Sequence, residues 1–234
     1  MQLARRVTQQ FVRRVISARS KSILGELTRE AGTRMRKSKS DTAETRKRIV
    51  AAAAELFLAQ GIATTSILDV MVAAGLTKGG FYRHFESKEQ LIAEANRLAF
   101  DYLFEMFESK IKGKTPKQAL EAIVRFYLCQ REIKELVYKC PLSNLGSELK
   151  RSDDCVKAVA VDGYERFIHH VARQTERMKI PDHEGVANSI VSMMVGAVAL
   201  SELMSDEDTA RSILANAERA VQALCRPAAR LRRA

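Results

Sequence analysis

Cysteine and histidine are scarce in this chain of 234 residues, with four of each. Cys129, Cys140, Cys155 and Cys225 are scattered, form no C-x-x-C pair and follow no secretory signal. That spacing spells out neither a disulfide framework nor a zinc site, and it suits a reduced, cytoplasmic protein without metal or cofactor. His169 and His170 are adjacent, so on a helix they diverge by about 100 degrees and cannot share one metal ion. No apolar run approaches the length of a membrane helix, so no membrane partner is expected. Convincing alternation of apolar and polar residues is missing from Lys88 onward, which argues against a sheet. Nor is there a G-x-S-x-G elbow, an H-E-x-x-H pair, a phosphate loop or a paired-carboxylate motif. No enzyme chemistry is therefore written in the chain, although triads can be assembled from distant residues.

Acidic residues are scarce at one end only. Residues 1 to 40 hold eleven Lys and Arg against two Glu, a net +9, leaving +2 of the formal +11 for the other 194 residues. Three readings of this leader stand side by side. Leu3, Val7 and Phe11 with two Arg pairs make a weakly amphipathic basic stretch, suited to an arm on DNA. Its Arg-rich, acid-poor composition also fits a targeting or surface-seeking helix. The plainest reading takes residues 1 to 41 as a disordered extension, or residues 1 to 34 as untranslated sequence ahead of Met35.

What is present is concentrated between Thr65 and Lys88, TSILDVMVAAGLTKGGFYRHFESK. Ile67, Val70, Met71 and Ala74 recur at helical spacing, and Ser66-x-x-Asp69 can cap that helix. Gly75 can take the left-handed conformation that ends it, and Thr77 can cap a second helix over about Lys78 to His84. Phe81 and Phe85 would share the buried face, leaving Lys78, Tyr82 and Arg83 outward. This is helix-turn-helix geometry, in which the second helix enters a major groove. Gly79 and Gly80 each cost such a helix roughly 1 kcal/mol against alanine, a sacrifice that close approach to another molecule would explain. Ser87-x-x-Gln90 can open the next helix with Lys88 in its first turn, a poor place for a cation but a good one for a phosphate. Thr65, Thr77, Tyr82, His84 and Lys88 are the expected phosphate contacts. Lys78 and Arg83 are the candidates for base edges, and Gly79 and Gly80 would admit close backbone approach.

These residues resemble the TetR family of bacterial one-component regulators. The resemblance begins in TRKRIVAAAAELFLAQG, Thr45 to Gly61, and continues through Gly61-x-x-x-Thr65-Ser66. It then includes the turn Ala74-Gly75-Leu76-Thr77-Lys78-Gly79 and the signature Tyr82-Arg83-His84-Phe85-Glu86-Ser87-Lys88. Met71 and Val72 stand where the family more often has small and acidic residues. The resemblance covers about residues 42 to 102 and is weak beyond. It implies an all-α protein with an N-terminal three-helix DNA-binding domain over 42–102, its motif at about 65–84. A larger helical ligand-binding and dimerisation domain over 103–226 would follow, then a basic tail over 227–234.

The body reads as helix after helix: Lys88 to Lys110, one from Pro116 that loses continuity by Cys140-Pro141, Leu142 to Leu149, Ser152 to Met178, Glu184 to Met204 and Asp206 to Leu224. Ser205-x-x-Asp208 is the expected cap of the last. The resemblance places an effector pocket among these helices, drawing on Phe104, Phe107, Phe126, Tyr127, Cys140, Asn144, Glu148, Tyr164, Phe167 and Met194. Helically spaced aromatics are equally suited to plain core. Lys139 and nearby amides could favour a Cys140 thiolate and hence a redox or electrophile sensor, against the commoner role of a small buried hydrophobe. Val186, Ile190, Met193, Gly196, Ala197 and Leu200, with Ile213, Ala217 and Val221, form two apolar stripes that would build a homodimer interface or fill the protomer's own core.

The expected function is a ligand-responsive transcriptional repressor whose partners are a palindromic double-stranded DNA operator, a small-molecule effector and a second copy of the chain. A nucleic-acid-coating protein is the alternative that the basic leader suggests, and an enzyme is a more distant one.

Overall fold

Eight α-helices and two 3₁₀ helices, with no strand among the described residues, make up the architecture of the computed structural model. The structure describes residues 39–132 and 139–225. The basic leader up to residue 38 and the tail 227–234 lie outside them. Helix α1 spans Lys39–Gln60, so Lys39 to Asp41 belong to it and not to the leader. Gly61 ends it with φ +91°, a conformation that an L side chain rarely takes.

Helix α2, Ile67–Ala73, opens on the expected capping box between Ser66 and Asp69. Gly75 takes φ +71°, and the Leu76 amide donates back to the Met71 carbonyl at 2.8 Å, which closes the turn. The recognition helix follows at Lys78–Arg83 but is wound as 3₁₀ rather than α. Thr77 sits at its N-cap without a side-chain capping bond, contrary to the expectation.

Helix α3, Lys88–Ile111, is capped by Ser87, whose hydroxyl accepts from the Gln90 amide. Gln90 does not complete the box, because its side chain accepts from the Glu86 amide instead, at 2.9 Å. Helix α4, Pro116–Leu128, carries a complete Thr115–Gln118 box. It stops well before Cys140, and a 3₁₀ turn occupies Gln130–Glu132. Helix α5 is Pro141–Arg151. Helix α6, Asp154–Arg177, starts after Asp153; Ser152, the expected opener, donates to the Glu148 carbonyl of α5. Helix α7 is His183–Leu203, and helix α8 is Glu207–Leu224. The α8 cap is Asp206, not Ser205, because the Asp206 carboxylate accepts both the amide and the hydroxyl of Thr209.

Two apolar cores result. Ile49, Phe57, Met71, Phe81, Phe85, Leu91 and Ala95 fill the first. Phe107, Ile123, Tyr127, Phe167, Val171, Ile190 and Met194 fill the second. Helix α3 runs through both, changing from one to the other between Ala99 and Phe100. Helix α5 joins them too: Cys140 at its start lies in the second core, while Leu145 and Leu149 lie in the first. Helices α3 and α6 run parallel, held by two ion pairs seven residues apart. Arg166 meets Asp101 at 2.8 Å, and Arg173 meets Glu108 at 2.7 Å. Stacking of Phe104 on His170 at 4.9 Å lies between these rungs. Burial holds His170 down at about 4, so this imidazole is neutral at pH 7.

Two expectations about the C-terminal helices need correction. Helix α7 has the length and hydropathy to cross a membrane, so an apolar run of that size does exist. It packs against α6 and α8, with Ala187, Ile190, Val191, Met194 and Val198 in the second core. The proposed dimer stripes also divide. Ile190, Ala197, Ala217 and Val221 are buried within the protomer, and Val186 and Ile213 pack against its core. The other α7 members of the expected stripe are less covered: Met193 is half-buried, Gly196 has open space at its Cβ position and Leu200 is 53% exposed, with Leu203 beside them at 75%.

Gly163 on α6 gives a sharp test of the α3–α6 contact. A Cβ there would lie 2.4 Å from the Phe100 ring. Alanine ordinarily stabilises a helix by about 1 kcal/mol over glycine. Here Gly163→Ala should instead destabilise by about 1–3 kcal/mol through overpacking, read as a lower denaturation midpoint in urea.

Candidate nucleic-acid interface

The reading head is held from below by two stacked rings. Phe81 and Phe85 are 0% and 2% exposed, with centroids 5.5 Å apart. Their burial against Met71 turns the opposite side of the recognition helix outward. Thr77, Lys78, Gly79, Tyr82 and Arg83 are exposed there, Tyr82 at 72%. Bonds from the Gly80 amide to the Thr77 carbonyl (3.0 Å) and from the His84 amide to the Phe81 carbonyl (2.8 Å) tighten it to three residues per turn. A Cβ on Gly79 would meet open space, whereas one on Gly80 would meet Met71 at 3.5 Å. The glycine that leaves the surface open is therefore Gly79, and Gly80 faces the core.

Arg46 of α1, which spacing gave no reason to single out, clamps this head. Its Nε donates to the His84 carbonyl at 3.2 Å, and its guanidinium lies 4.5 Å over the Phe85 ring. Its remaining nitrogens pair with Glu94 of α3. One side chain thus ties the C-terminal end of the recognition helix to two long helices. Such a fork is a geometry that only arginine supplies.

Two expected phosphate contacts have structural attachments. Thr65 is fully buried; its hydroxyl donates to the Gly61 carbonyl at 2.6 Å and accepts from Gln60. Its side chain therefore shapes the turn and leaves the set of surface contacts. Lys88 is half-buried, and its ammonium donates to the Ile62 carbonyl at 3.1 Å. That bond accounts for a cation in the first turn of a helix and leaves two N–H groups for another acceptor. His84, at the C-cap of the recognition helix, is half-buried.

Of the expected pocket residues, Phe104, Phe107, Tyr127 and Phe167 come together in the second core, with Tyr127 4.9 Å from Phe167. Phe126 sets its ring edge-on to Phe107, and Met194 is fully buried. The others do different things. Tyr164 donates outward to Asn188 of α7 at an exposed position. The Asn144 amide donates to the Cys140 carbonyl at 3.0 Å. Glu148 reaches away from the second core, accepting from the Ile62 amide at 2.6 Å and the Ala63 amide at 3.4 Å. A Cβ at Gly61 would come 3.0 Å from the same carboxylate. Cys140 is fully buried, and burial pushes its thiol up rather than toward thiolate. Lys139, invoked to activate it, pairs with Glu202 at 3.5 Å. An open groove of about 1060 Å³ lies elsewhere, between Leu120 and Val124 of α4, Met178 beyond α6, and Val221 of α8.

Residues 49–95 match the family described as bacterial regulatory proteins, tetR family. The HTH-type transcriptional regulator AcrR of Shigella flexneri is 35% identical over 88 residues, which cover 38% of this chain and 40% of that relative. The HTH-type transcriptional repressor KstR2 of Mycolicibacterium smegmatis is 30% identical over 40% of this chain and 44% of its own length. Similarity to these two relatives thus spans less than half of each. The regulator TtgR of Pseudomonas putida is 25% identical over 68% of this chain and 79% of its own. Among solved structures, a TetR transcriptional regulator from Chloroflexus aurantiacus superposes with a TM-score of 0.69 at 28% identity. The match covers 78% of this chain and 96% of that one.

The geometry makes the reading head testable residue by residue. Tyr82→Ala should weaken binding to all duplexes by a similar factor, as loss of a backbone contact does. Lys88→Ala should also lower the slope of log affinity against log salt by about one. Gly79→Leu should abolish specific binding with helix content unchanged. Binding by both alanine variants equal to the parent's across a salt series contradicts this placement.

Proposed function

Because this chain belongs to the TetR family of bacterial regulatory proteins, we propose that it acts as a homodimeric transcriptional repressor released from its operator by a small molecule. The observation that carries the reading is the exposed face of Lys78, Gly79, Tyr82 and Arg83 on a helix fixed by Phe81, Phe85 and Arg46. A recognition helix of six residues reads few bases, so specificity calls for two copies on half-sites about 34–36 Å apart. The outward α7 face of Met193, Gly196, Leu200 and Leu203 supports pairing there, since large exposed leucines on a close-approach helix suit a second helix. The basic leader allows a coating protein as a second reading.

Two struts support effector control, because each stands on a helix that runs from the first core into the second. Glu94 of α3 holds Arg46 and, through it, the recognition helix. Glu148 of α5 holds the turn that leads into α2. A molecule that shifts α3 in the second core would pull on the first strut, and one that shifts α5 on the second. Packed helices relay such a shift rather than absorb it. Moving the DNA-competent population from 99:1 to 1:99 requires about 5.5 kcal/mol of differential affinity, and linkage requires operator DNA to weaken effector binding by the same factor.

Footprinting on selected genomic fragments tests the reading. A discrete palindrome of one or two helical turns is expected, and unbounded protection would make the chain a coating protein. Glu148→Ala, although it lies outside the helix-turn-helix, should reduce protection at the palindrome and destabilise the fold by about 1–3 kcal/mol, because two backbone amides lose their acceptor. Glu148→Gln, which keeps an acceptor, should retain most of both.

A further inference from the structure

Three side chains around the second core are fully buried yet keep polar atoms with no hydrogen-bond partner. They are Tyr127 at its hydroxyl, Gln130 at Nε2 and Gln174 at both ends of its amide. Tyr127 and Gln130 belong to one place. The Gln130 oxygen accepts from the Cys140 amide at 2.9 Å, and the Tyr127 phenol lies beside the Cys140 thiol and Ser143 without a well-formed bond to either. Gln174 belongs to another. Phe167, Val171 and Gln174 follow at i, i+4 and i+7 on the inner face of α6, so Gln174 stands two turns, about 10 Å, beyond the Phe167 ring that packs on Tyr127. Helix α4 runs antiparallel to α6, since Tyr127 meets Phe167 while Leu120 and Met178 line one groove. The wall between the two polar ends is therefore Phe167, Val171 and Ile123, all buried.

Unpaired buried polar groups destabilise a core that leucine or phenylalanine would fill without penalty. Each is explained if a bound molecule completes its hydrogen bonds. The ends themselves are a phenol and two amides, which favour an uncharged group; Arg166, Arg173 and Lys139 at the edge of this core are each paired with a carboxylate, and Lys117, Arg177 and Lys179 line the groove outside it. The groove between α4 and α8 supplies an approach, since Met178 on its wall is one turn from Gln174.

We infer that the effector is an uncharged, elongated, largely apolar molecule with a hydrogen-bonding group at each end, one received by Tyr127 and Gln130 and the other by the Gln174 amide. This rests on the reading of the body as an effector-binding domain. The core is closed around these groups, so entry parts α4 from α6, whose far ends carry the connections to α5 and the reading head.

The test uses the full chain and three probes in calorimetric titration: 4,4'-dihydroxybiphenyl, an elongated uncharged molecule with a hydroxyl at each end, 4-hydroxybiphenyl, and biphenyl-4,4'-dicarboxylate. The diol should bind about tenfold or more tightly than the mono-ol, because a site built around a hydroxyl rejects the analogue lacking it. The dicarboxylate should not bind. Tyr127→Phe and Gln174→Leu should each weaken diol binding by about tenfold while raising the melting temperature of the unliganded protein. A merely structural role for these side chains would lower it. Equal binding of diol and mono-ol, tight binding of the dicarboxylate, or a lower melting temperature in either variant overturns the inference. Operator affinity is measured separately. Diol binding in the expected pattern with operator affinity unchanged upholds the site's chemistry and overturns the effector reading on which it was built.

Discussion

One uninterrupted helix, Lys88–Ile111, has to satisfy two cores at once, and the placement of everything else follows from that. Its first half buries Leu91, Ile92, Ala95 and Ala99 against the helices of the reading head. Its second half buries Phe100, Leu103, Phe104 and Phe107 against the body. Neither core can rotate about the helix without exposing large apolar side chains of the other. The second connection, α5, adds to the constraint by burying Leu145 and Leu149 in the head while its N-cap, Cys140, sits in the body. The head is thus held at two places rather than hinged at one.

Much of this arrangement was legible in the chain, for local reasons. Helix ends are decided by short-range chemistry, so the Ser66–Asp69 and Thr115–Gln118 boxes and the turn at Gly75 could be read directly. The buried pair Phe81 and Phe85 followed from spacing alone. Errors arose where a side chain had more than one possible partner. Gln90 caps one residue earlier than its motif implies, and Asp206 displaces Ser205 as a cap because a carboxylate can accept two bonds from Thr209. The 3₁₀ winding of Lys78–Arg83 was hidden because propensity does not separate it from one α-turn.

The site itself was legible in outline and not in its supports. Exposed cations and a tyrosine on a helix opposite buried rings carry a pattern; Arg46 bound to His84, Phe85 and Glu94 does not, since those partners lie 38 to 48 residues away for the hydrogen bonds. Glu148 is the clearest case. The resemblance placed it among the pocket residues, yet its carboxylate spans 86 residues of sequence to hold the Ile62 amide. The stripe on α7 misled for a different reason. A helix apolar on nearly all sides has no unique inner face until its neighbours choose one.

The paired rungs between α3 and α6 carry a consequence for the form of the response. Asp101 and Glu108 are seven residues apart, as are Arg166 and Arg173, so any axial slip of one helix past the other breaks both rungs together. Arg166 keeps Asp162 of its own helix in any register, and the Phe100 ring lies where a Cβ on Gly163 would be. A slip of α3 past α6 would therefore lose both rungs in one event rather than in two. Because the rungs are partly open to solvent, dissolved ions screen both of them. Salt would thus act on the α3–α6 contact as well as on the face offered to nucleic acid.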